Sequence, residues 1–87
     1  MIQDELKLIY DTYRGKSIGY LADTLEDLLP EIAQILHDDQ ELFKEMKDEV
    51  DCMQKQYIYG DKYDEYHGMV IESCMEVLKK VLDKISN

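Results

Sequence analysis

Acids and imidazoles spaced one helical turn apart are the side chains of this sequence that could hold a metal ion or move a proton. Asp64-x-x-His67 pairs an acid with a histidine, and Glu45-x-x-Asp48 pairs two acids. A di-iron centre in a helical bundle needs a Glu from each of two helices and a Glu-x-x-His from each of two more. Asp64 and His67 approximate one such motif, while His37 has no acid three residues before it. A magnesium cleft for nucleotide hydrolysis needs two facing pairs of acids, and Glu45-x-x-Asp48 has no mate. His67 falls on an apolar stripe, where a partly buried structural histidine is expected. Cys52 and Cys74 lie on or beside apolar stripes in a chain without an export signal, so free thiols are expected there. The sequence therefore predicts no enzyme, no metal site and no cofactor.

Charge is the more unusual chemistry. Ten Lys plus Arg stand against twenty Asp plus Glu, a net charge of −10 with a pI near 4.4. The excess is concentrated: eleven acids from Asp23 to Asp51 face Lys44 and Lys47, which is −9 of the −10. A solvated face that keeps a small protein soluble would also carry acids. Two neighbouring helices with the same imbalance, however, repel each other and cost stability in a small domain. A surface that meets a basic partner accounts for that cost, whereas nucleic acid phosphates and anionic membranes are repelled.

Tyrosines add to this surface. Tyr57, Tyr59, Tyr63 and Tyr66 cluster among Asp61, Asp64 and Glu65. Rings give contact area at low entropic cost, and hydroxyls and carboxylates accept hydrogen bonds from Arg and Lys. Packing over the end of a helical bundle is the other use of such rings, and Tyr57, in phase with its helix, is expected in the core.

Four helices must position these residues. The clearest runs from Tyr63 to Ile85, where His67, Val70, Ile71, Cys74, Leu78, Val81, Leu82 and Ile85 recur at the spacing of one buried face. Before it, Leu6, Ile9, Tyr10 and Tyr13 line a first helix over about Gln3 to Arg14, which Gly15 would stop. Ser17 caps a second, in which Ile18, Leu21, Leu25, Leu28, Ile32 and Ile35 keep phase across Pro30, where a kink or break is expected. Asp39 starts a third, roughly Gln40 to Tyr57, with Leu42, Phe43, Met46, Val50 and Met53 along one side. Gly60-Asp61 is the last break, with Asp61 and Asp64 both able to cap the final helix. Short connections imply antiparallel neighbours, so the predicted fold is all-α, an antiparallel up-down four-helix bundle with its second helix kinked at Pro30.

At 87 residues the chain makes a single domain over 1–87, and 45% hydrophobic residues suffice for a core. Met1 to Glu5 resembles no signal peptide and no stretch reaches the roughly 18 apolar residues of a membrane span. A cytoplasmic protein is expected.

From Asp48 onward the order of features resembles the colicin D type of bacteriocin immunity protein, a small acidic helical family that blocks a tRNA-cleaving toxin. Val50-Asp51-Cys52 ends an acidic third helix, Tyr59-Gly60-Asp61 forms an aromatic, Asp-bearing turn, and Asp64-Glu65-Tyr66 leads into Val70 to Leu82. Lys16-Ser17-Ile18 is similar to that family's short loop before its second helix. The resemblance implies an inhibitor whose carboxylates enter the basic RNA-binding cleft of a nuclease as phosphate mimics. The residues assigned to that face are Asp48, Glu49, Asp51, Asp61, Tyr63, Asp64, Glu65 and Tyr66, with the free protein a monomer or weak dimer. A self-associating helical adaptor and a metal-dependent nucleotide hydrolase are the alternatives.

Overall fold

The computed structural model of the chain describes residues 2–13, 17–59 and 65–86, apart from the side chains of Tyr13, Ile58, Tyr59, Glu65, Tyr66 and His67. Among the described residues there are four helices and no strand: α1 (Ile2–Tyr13), α2 (Ile18–Ile35), α3 (Gln40–Tyr59) and α4 (Glu65–Ser86). The proposed stop at Gly15 and the caps at Asp61 and Asp64 lie outside the described residues.

Local chemistry sets the boundaries that can be seen. The Ser17 hydroxyl accepts from the Tyr20 amide at 3.5 Å, which engages one of the amides a helix start leaves without a partner. At the other end of α2, the Leu36 amide closes a last turn on the Ile32 carbonyl. The chain then reverses through 36–39, where the Asp39 amide donates to the Leu36 carbonyl and the Gln40 side chain donates to the His37 carbonyl. Asp39 caps α3, its carboxylate accepting from the Leu42 amide at 3.2 Å. Helix α2 passes through the exposed Pro30 without interruption, so no break occurs there.

Each helix buries one stripe. Leu6 and Ile9 of α1, Leu21, Leu25 and Ile32 of α2, Met46, Val50 and Met53 of α3, and Val70, Cys74, Leu78 and Val81 of α4 meet in one core. Among the described residues no polar or charged side chain is buried with them. Helices adjacent in sequence pack against each other, α1 also packs against α4, and α2 and α4 touch across the middle. Cross-links fix which levels meet. Gln3 donates to the Ser86 hydroxyl at 3.0 Å, Gln54 reaches Asp23 and Glu26, and Ser73 donates to Glu49.

Tyr57 departs from the core position expected of it. It keeps the phase of Met46, Val50 and Met53, yet it is 55% exposed. Its ring lies against the backbone of Gly19 on α2, where a Cβ would come within 2.4–2.9 Å of the ring carbons. The ring thus covers a helix that offers it no side chain, with its far face in water.

Candidate protein-binding surface

Of the eight residues expected to form the binding face, Asp48, Glu49 and Asp51 are fully described, all on α3. Glu65 and Tyr66 belong to the first turn of α4, while Asp61, Tyr63 and Asp64 lie outside the described residues. The three on α3 have different surroundings. Asp51 is exposed and, among the described residues, has no partner. Asp48 is exposed but held by Lys44 one turn earlier, at 3.2 Å. Glu49 is half-buried and accepts the Ser73 hydroxyl at 2.7 Å, which ties α3 to α4.

Two of the three border a groove between α3 and α4. Asp48 and Glu49 stand at one edge, and Cys52, Met69, Val70 and Ser73 complete it, with Met69 67% exposed. At about 270 Å³ the groove takes a side chain and falls just short of the usual range for small-molecule sites. Cys74 is buried behind it. Burial pushes its thiol up to about 12, and the neighbouring Glu49 carboxylate and Cys52 add to the shift by disfavouring a second negative charge. Both cysteines are free, although Cys52 is half-buried rather than enclosed.

The acids of the wider stretch remain at the surface. Asp23, Glu26, Asp27 and Glu31 on α2, and Glu41, Glu45, Asp48 and Asp51 on α3, are all exposed. Lysines reach some of them: Lys80 lies 3.6 Å from Glu45, and Lys84 lies 3.6 Å from both Asp38 and Asp39. Such exposed pairs contribute about 0–1 kcal/mol each, so they neutralise charge more than they stabilise the fold. Across the α2–α3 seam, where no lysine is paired among the described residues, the Gln54 amide donates to both Asp23 and Glu26. A neutral donor there links the two helices while leaving their charge in place.

Sequence reasoning did not anticipate which acids meet the lysines of α4, because that depends on the register of α4 against α3 and the turn before it. Among the described residues, no group of three or more His, Cys, Asp or Glu side chains is arranged to hold a metal ion, and no helix is long and apolar enough to cross a membrane. No family model, curated protein or solved structure matches the chain.

Proposed function

We propose that this chain is an immunity-type inhibitor, acting in the cytoplasm, that binds a basic nuclease toxin of the tRNA-cleaving class through an acidic, tyrosine-containing surface. The observation that carries the reading is the display of carboxylates on α2, α3 and the turn between them, where all eleven acids from Asp23 to Asp51 lie outside the core and most have no lysine partner among the described residues. Phosphate mimicry needs this arrangement, since arginine and lysine in an RNA-binding cleft pair strongly with carboxylates held at a surface. Asp48, Glu49, Asp51, Asp61, Asp64 and Glu65 supply the charge, and Tyr63 and Tyr66 the anchors.

An up-and-down antiparallel order of the helices, with a bend at Pro30, belongs to the same reading. Its support is that early α3 meets late α4 through Glu45 and Lys80, late α3 meets early α2 through Gln54 and Asp23, and the start of α1 meets the end of α4 through Gln3 and Ser86. That order sets the exposed faces of α2 and α3 side by side.

The test measures inhibition of a basic tRNA-cleaving nuclease by the parent chain and by Asp48→Asn, Asp51→Asn, Asp64→Asn and Tyr63→Ala, at low and physiological salt. Acids at the rim should slow association and flatten its salt dependence, and an acid paired with a desolvated arginine should cost about 2–5 kcal/mol of affinity. Folded variants that inhibit as well as the parent would reduce the acidic stretch to a solvated face.

A further inference from the structure

A second groove lies between α1 and α2, away from the residues assigned above. Leu8 and Tyr20 form its mouth at 58% and 52% exposure, Ile9 and Leu28 lie deeper, and Glu5 and Asp27 stand at its edges. Two large apolar side chains are therefore held in water at one place.

The charge around this groove differs from that around α3 and α4. Helix α2 contains no Lys or Arg, and α1 contains Lys7 alone, against seven acids on the two helices. Among the described residues every ion pair involves α3, α4 or the turn before α3, and none reaches the acids of α1 or α2. Tyr20, Thr24, Asp27 and Glu31 recur at four, three and four residues, so the acids continue along the side of α2 that borders the groove.

We propose that the α1–α2 groove seats the apolar residues of a basic amphipathic helix, whose Lys or Arg side chains on the flanking turns reach Glu5, Asp27 and Glu31. Leu8 and Tyr20 provide contact for apolar anchors one turn apart, and the unneutralised acids select the charge of what surrounds those anchors. A second copy of this chain is a poor occupant, because it would set the same acids against each other. The inference goes beyond the preceding reading: it assigns a second, separate binding surface to α1–α2, and it holds whether or not the chain inhibits a nuclease.

A fluorescent helical peptide bearing two leucines one turn apart, flanked by arginines, tests this directly when titrated into the full chain. Saturable binding is expected, with amide chemical-shift changes concentrated at Leu8, Tyr20, Thr24 and Asp27. Leu8→Asn and Tyr20→Ala should each weaken it about tenfold or more. Asp27→Asn should reduce its salt dependence, and Asp83→Asn on α4 should leave it unchanged. Circular dichroism verifies that each variant is folded. The proposal is overturned by absence of saturable binding, by equal affinity for a peptide with both leucines replaced by serine, by unchanged binding to a folded Leu8→Asn chain, or by shifts centred on Met69 and Ser73. None of these outcomes bears on nuclease inhibition, so the two readings fail separately.

Discussion

Cys74 shows how little the surface chemistry of this chain enters its interior. The thiol is fully enclosed, and its acidity is suppressed by burial first and by the Glu49 and Cys52 charges second. At about pH 8 a thiol reagent should therefore modify the half-buried Cys52 well before Cys74, which reacts only as the fold opens. Equal rates at both positions in the native chain, followed by mass spectrometry, would contradict the burial described. The shift also fixes a direction for stability. A thiol held up to about 12 when folded, against 9.0 for a thiol in water, keeps a proton that the unfolded chain gives up, so its contribution is complete below pH 9 and is lost as pH rises toward 12. Denaturant midpoints for the parent and Cys74→Ser across that window would reveal it as a steeper alkaline decline in the parent.

At the scale of the element, apolar spacing and caps made α2, α3 and most of α4 legible. Ser17 and Asp39 are short polar side chains placed just before apolar periodicity begins, and both accept the amide hydrogen bond that such a position implies. Phase alone misplaced Tyr57, since the periodicity of α3 says which way a side chain points and nothing about what stands opposite. Gly19 stands opposite, and a ring cannot be enclosed by a neighbour without a side chain. Leu25 and Leu78 are both at 0% exposure, and replacing either by Ala should cost about 2–5 kcal/mol in chemical denaturation. Asp39→Ala should cost about 1 kcal/mol through loss of the α3 cap, with little added by its exposed Lys84 pair. Losses below about 1 kcal/mol at both leucines would mean that the stripes do not form the core.

For the whole molecule, a net charge of −10 on 87 residues makes self-repulsion a general term rather than a local one. Raising salt from about 10 mM to about 150 mM should screen that repulsion and raise the melting temperature, and a flat or falling profile in calorimetry would show that the lysine pairs of α3 and α4 outweigh it. The free chain should scatter light as a monomer under the same conditions. Charge and class were legible from the sequence, whereas the division into a lysine-paired α3–α4 face and an α1–α2 face without ion pairs among the described residues required the helices to be placed in space. Connectivity carries a kinetic consequence. Every helix packs on its neighbour in sequence, and the α1–α4 seam, clasped by Gln3 and Ser86, joins segments 83 residues apart. Helical hairpins of low contact order assemble in microseconds to milliseconds, and a seam that must close the longest loop gains its contacts last. Docking of α1 is thus the expected final step of folding, and mutations along it, such as Leu6→Ala, should speed unfolding far more than they slow folding.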